Sequence, residues 1–226
     1  RNKPLAGDPV TVNPAGLLFK LNIHRPQGEC AADSDFQRVC RLWTEKDLGA
    51  DDTFFNFGDV KPADWGTNVI SLHVSNNDAY ACLIVGDKVN LENTIYDPEV
   101  TAGDTTDPLG ELSKYLNVFT WGDDGDGVYE PTGESSLGSG PLSILTSIMS
   151  MDGGNQQFLT STTTKNIGLA WCAGTLTANP STGVFTCNGA GMLNDAQSDS
   201  FTASLTAYAE QVRNNGAFRC SAVVPN

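Results

Sequence analysis

The sequence is short of positive charge. Its 226 residues hold 13 Lys and Arg against 27 Asp and Glu, a formal net charge of −14. A protein that binds phosphates by releasing their counterions needs a basic face, so the balance argues against nucleic acid as a partner. Long apolar runs are missing too. No stretch approaches the roughly 18 apolar residues of a membrane helix, because Thr, Ser, Asn or a charge interrupts each one. No membrane insertion is expected. Histidine is limited to His24 and His73, each on a strand pattern and neither in an HExxH frame; the GxSxG elbow and the GxxxxGK[ST] phosphate loop are absent. Carboxylates are so common that no glycosidase pair stands out, and the expectation is a protein that is not an enzyme. The Asn179 frame for N-glycosylation is closed by Pro180.

What is present describes a folded chain. Charged residues make up 18%, below the ~25% usual for soluble domains, with 39% hydrophobic residues and 23 glycines. That is the composition of strands and turns, and not of a disordered acidic tail. The length suits one large all-β domain. Six cysteines without a CxxC pair or a Cys/His cluster read as three disulfides rather than a zinc site. Proximity favours Cys30 with Cys40 and Cys172 with Cys187, leaving Cys82 and Cys220 to pair across the sandwich. An oxidising compartment follows. With Arg1 at its start, the chain is expected to be secreted, extracellular or at the cell surface, after loss of a signal peptide.

Residues 1–13 are rich in Pro, Gly and Asn and form an extended segment without a core of its own, with Leu5, Val10 and Val12 as its apolar positions. Residues 14–226 read as a single domain. Leu17, Phe19, Leu21 and Ile23 alternate with Leu18, Lys20, Asn22 and His24, the period of a half-buried strand. Phe36, Val39, Cys40 and Trp43 mark one face of a helix, giving a helical insertion around 33–48. NVISLHV and AYACLIV flank the turn Ser75-Asn76-Asn77-Asp78, as a hairpin or a tight corner. Two further short helices are predicted. One opens at Asp107-Pro108 with Leu109, Leu112 and Leu116 on one side; the other opens at Gly140-Pro141 with Leu142, Leu145 and Ile148 or Met149. Strands return in QQFLTSTTT, NIGLAWCAGTLTA, GVFTCNG and SFTASLTAYAEQVRN. The class expected is mainly β: a jelly roll or β-sandwich of antiparallel strands with short helical insertions.

The densest polar segment is WGDDGDGVYEPTGE. Asp123, Asp124, Asp126, Glu130 and Glu134 sit among glycines that let the backbone curl, so several carboxylates can converge on one hard cation. Ca²⁺ takes six to eight oxygens in a flexible cage, and this segment can supply them. It is not an EF-hand, since Gly122 and Gly133 fall where the first Asp and the bidentate Glu belong. The alternative is a solvated acidic turn.

Three stretches, FNFGDVKPADWGTNVISLHVSNNDAYACL, LGELSKYLNVFTWGDDGDGVYEPTGE, and GLAWCAGT with CNGAGMLNDAQSDSFTASLTAYAEQVRNNGAFRC, together resemble the TasA/camelysin family of secreted fibre proteins processed by a SipW-type signal peptidase. The resemblance covers roughly Phe55 to Cys220. It implies a jelly-roll subunit that polymerises with copies of itself into an extracellular filament of a biofilm matrix, alongside other matrix or cell-surface components. It also implies that a subunit donates its N-terminal strand to a neighbour, which places Leu5, Val10 and Val12 in the junction. Main-chain hydrogen bonds give such a junction affinity and alternate side chains give it register. The segment from Cys30 to Asp52 departs from the family pattern. Camelysin is also the label of a casein-cleaving metallopeptidase, which would need a zinc site that two isolated histidines do not offer. That activity is the alternative from another class; a monomeric calcium-dependent adhesion module is the third.

Overall fold

The computed structural model describes residues 10–12, 17–22 and 46–47 as backbone strands, and residues 58–105 and 108–223 in full. Leu5, the helix expected around 33–48 and the Cys30–Cys40 pair lie outside the described residues. The chain is mainly β, an antiparallel sandwich with short helical insertions. Its strands are β1 (Val10–Val12), β2 (Leu17–Asn22), β3 (Lys46–Asp47), β4 (Trp65–Val74) and β5 (Ala79–Leu91), then β6 (Leu116–Asp123), β7 (Ser136–Pro141), β8 (Ser147–Met151) and β9 (Lys165–Ala173), and finally β10 (Thr175–Ala178), β11 (Phe185–Asn188) and β12 (Ser200–Gln211). Helices α1 (Asp97–Ala102) and α2 (Leu112–Tyr115) fall between β5 and β6. The larger sheet runs β1-β2-β4-β9-β6-β7, with β3 also on β2; the smaller runs β12-β5-β8; β10 and β11 form a separate hairpin. Among the described residues, no helix is long and apolar enough to cross a membrane.

Period-2 patterning builds the core. Ile70, Leu72 and Val74 on β4, with Ile167 and Leu169 on β9, face Ala81, Leu83 and Val85 on β5 and Met149 and Met151 on β8. Each fully buried Leu or Ile is worth about 1.5–3 kcal/mol over leaving it in water. The Ser75–Asp78 turn is the corner between the two sheets, because β4 and β5 never pair with each other. Both faces of β5 are buried from Ala79 to Val85. Tyr80, Cys82 and Ile84 lie under the C-terminal tail, where Phe218 stacks on Tyr80 at 5.8 Å and on Tyr208 at 5.8 Å. The Cys82–Cys220 disulfide is present, but it staples this tail to the outer face of the small sheet instead of bridging the sandwich. Cys172–Cys187 ties β9 to the β10–β11 hairpin, as proximity suggests.

Four other expectations change. The helix predicted from Gly140-Pro141 is a single turn between β7 and β8. Ile144 and Leu145 N–H donate to the Pro141 carbonyl, while Leu142 and Ser143 N–H donate to the distant carbonyls of Leu116 and Ser113, so no helical ladder propagates. Leu145, Ile148 and Met149 still reach the core, the last two from a strand. Asp107 lies outside the described residues; after Pro108 the predicted helix is reduced to α2, and Leu116 opens β6. QQFLTSTTT is no strand: Leu159 alone bridges to Ala79, and the Thr160 and Thr163 hydroxyls bond each other at 2.5 Å. The run NIGLAWCAGTLTA breaks at Gly174, where φ is 136° and an added Cβ would stand 2.3 Å from the Asn188 carbonyl oxygen, so a side chain is excluded. The pattern did not reveal β6, β7 or α1.

Candidate functional site

The acidic segment leaves β6 and folds back over the outer face of the large sheet. Trp121 anchors it, lying fully buried on Gly168, where an added Cβ would meet the indole at 2.0 Å. Phe119, Tyr129 and Phe185 complete an aromatic cap, with centroids 5.0–6.3 Å apart. The Asp123 carboxylate turns inward. Its Oδ1 accepts from the Trp121 indole at 3.1 Å and from Gly127 N–H at 3.1 Å, and its Oδ2 accepts from Gly125 N–H at 2.9 Å. Burial holds its carboxyl above the usual range against the pull of those donors.

Of the five predicted ligands, Asp124, Glu130 and Glu134 are brought together, with one oxygen of each within 4.8 Å of the others. Glu134 organises the loop, accepting Asp124 N–H at 2.8 Å and Glu130 N–H at 2.9 Å. Asp126 accepts Val128 N–H at 2.8 Å instead. The Glu130 carboxyl is raised by lost hydration and then by the charges of Asp126, Glu134 and Asp124. Asp124 and Glu130 lie toward solvent, whereas Asp123 is buried.

A second carboxylate cluster lies where the small sheet ends. Glu92 follows Leu91 and Asp199 precedes Ser200, and Leu91 pairs with Ser200 at the end of the β5–β12 ladder. Helix α1 brings Glu99, which is fully buried and closes the first turn by accepting Tyr96 N–H at 2.6 Å. Its other oxygen accepts Ser198 N–H at 3.0 Å. Asp104 follows α1, and Glu111 precedes α2. The cap of α2 comes from Asp199, whose Oδ2 accepts Glu111 N–H and, at 3.1 Å, Leu112 N–H. Tyr115 at the end of α2 donates to Asp195 at 2.7 Å, and burial followed by this partner pushes its hydroxyl up to about 12.

Oxygens of Glu92, Glu99 and Asp199 lie within 4.8 Å of one another, as do those of Glu92, Asp104 and Glu111. Glu92 belongs to both groups. Its carboxyl is raised to about 7, first by burial and then by the neighbouring Asp104 and Asp199 carboxylates, against the pull of the Thr94 N–H. No spacing or motif in the sequence singles these residues out. Six acidic side chains do occur from Glu92 to Glu111, but more thinly spread than in the loop and with only Gly103 and Gly110 among them, and Asp199 joins them only through the fold.

All three metal-competent groups found among the described residues are carboxylate groups, which suit Ca²⁺ or Mg²⁺ better than zinc. His73 lies apart from them, with Nδ1 3.0 Å from the Thr164 hydroxyl; His24 is outside the described residues. Backbone pairing puts Val10 opposite Phe19, Thr11 opposite Leu18 and Val12 opposite Leu17, so β1 forms the edge of the large sheet. No protein-family model matches the chain, and no curated protein matches it.

Proposed function

We propose that this chain is a structural subunit of an extracellular filament of the TasA/camelysin type. It polymerises head to tail by donating its N-terminal strand to the next copy, and the solvent-facing Asp124, Glu130 and Glu134 hold calcium weakly, without adding to the stability of the fold. The observation that carries this reading is the place of β1: a three-residue edge strand at the N-terminal end of the chain, joined to β2 by a short link. An edge strand of this kind can be exchanged for the identical strand of a neighbour at little cost, because each ladder bond lost in one chain is remade in the other. Exchange passed from copy to copy does not close, and so builds a filament. The disulfides support an oxidising, extracellular setting.

The test is negative-stain electron microscopy of the full chain beside one lacking residues 1–13, each with calcium and with chelator. The core on β4, β5, β8 and β9 survives the truncation, so the short chain stays folded. Filaments from the full chain alone are expected. Filaments from the truncated chain overturn strand donation, and filaments from neither turn the reading to a monomeric calcium-dependent surface module.

A further inference from the structure

We propose that Glu92, flanked by Asp104 and Glu111 in one group and by Glu99 and Asp199 in the other, is the centre of a buried binding site for a divalent cation of the calcium class, distinct from the acidic loop. The carboxylate oxygens of this cluster are unequal. Glu92 Oε1 accepts Thr94 N–H at 2.9 Å and Ser198 Oγ at 3.2 Å, while its buried Oε2 accepts nothing. Asp199 Oδ2 caps α2, while its buried Oδ1 accepts nothing. In each case one oxygen fixes the side chain and leaves the other presented to the neighbouring carboxylates. A buried acceptor with no donor is costly; the buried carboxylates of Glu99, Asp123 and Asp152 accept N–H groups, and two buried oxygens without one at a single place point to a ligand.

Spacing and chemistry name that ligand. Two oxygens on one Ca²⁺, each 2.3–2.6 Å from it, lie at most about 5 Å apart; both groups that share Glu92 fall within 4.8 Å. The donors are all carboxylate oxygens, which excludes the preference for imidazole and thiolate shown by zinc and copper. They arrive from separate chain segments, a set that suits the adaptable shell of Ca²⁺ better than the strict octahedron of Mg²⁺. Lys114 Nζ is 3.2 Å from Glu111 Oε1, but the lysine side chain is mostly exposed and so approaches from the solvent side. The backbone is tailored to the site: a Cβ on Gly110 would stand 2.7 Å from the Leu91 carbonyl and 2.8 Å from Asp199 Oδ1. A cation here binds the excursion carrying α1 and α2 to the end of the β5–β12 ladder. The site is independent of strand donation, since every ligand belongs to one chain.

Calcium binding to the full chain, freed of metal by chelator, is read by calorimetry and native mass spectrometry. Wild type binds one equivalent that the loop variant D124N/E134Q retains; E92Q and D104N each weaken that equivalent by about tenfold or more. Equal affinity in wild type and E92Q overturns the proposal. Should the variants fold poorly, hydrogen exchange of the wild type decides. Calcium slows amide exchange across residues 92–115, and unchanged exchange there on calcium addition contradicts the site.

Discussion

Asp124, Glu130 and Glu134 stand toward water, and two of their backbone N–H groups are answered by Glu134. Glu92, Glu99 and Asp104 are withdrawn from water, and oxygens of Glu92 and Asp199 have no donor at all. The first arrangement is stable as an acidic loop whether or not a cation visits it, because solvent screens its charges. The second concentrates charge where water cannot screen it, and a cation answers that directly. A dense acidic motif in the sequence is therefore the weaker guide; the stronger one is the balance of donors and acceptors after burial.

Trp121→Ala separates the regions most sharply. It removes the ring between Gly168 and the aromatic cap, and the indole donor of Asp123, and is expected to cost about 3–5 kcal/mol. Chemical denaturation measures this loss, while calcium binding at the buried cluster stays intact. Asp152 supplies a control, since it is a buried carboxylate surrounded by donors. Its oxygens accept N–H groups of Cys220 at 2.9 Å, Gly154 at 2.7 Å and Asn155 at 3.3 Å. The Cys220 N–H is the largest influence, and with the Arg219 charge nearby the carboxyl is held below its usual value. A depressed folded pKa contributes stability above the unfolded value of about 3.9, lost as pH falls through the folded pKa. Asp152→Ala is expected to cost about 2–3 kcal/mol near neutral pH and to flatten the acid limb of a stability–pH curve, with no change in calcium dependence.

Gly110→Ala acts on the other side of the comparison. The new methyl would clash with both the Leu91 carbonyl and the Asp199 carboxylate, at about 1–3 kcal/mol for overpacking, and calcium titrations of the variant should show the buried equivalent weakened. The smallest effect is expected from Asp124→Asn, within about 0.5 kcal/mol in calcium-free buffer, measured by thermal unfolding.

The sequence made legible whatever depends on period and proximity. Ile70, Leu72 and Val74 alternate as a strand and are one; Cys172 and Cys187 are near in sequence and bonded. Spacing misled where a turn imitates a helix, because Leu142, Leu145 and Met149 keep helical intervals while the Leu142 N–H bonds the distant Leu116 carbonyl and Met149 pairs with Leu83 in a strand. Of the acidic segment, the convergence of Asp124, Glu130 and Glu134 was foreseeable, and the inward turn of Asp123 was not, since it depends on the buried Trp121 indole. The second cluster was hidden because Asp199 is far from Glu92 in sequence and meets it only through the β5–β12 pairing.

The most direct test compares melting temperatures with saturating calcium and with chelator, for wild type, D124N/E134Q and E92Q. Calcium at about 100 times Kd stabilises a one-site protein by about 2.7 kcal/mol, roughly 5–10 °C in Tm for a domain of this size. Wild type and D124N/E134Q are predicted to show that rise and E92Q to lose it; a rise kept by E92Q and lost by D124N/E134Q would contradict the account.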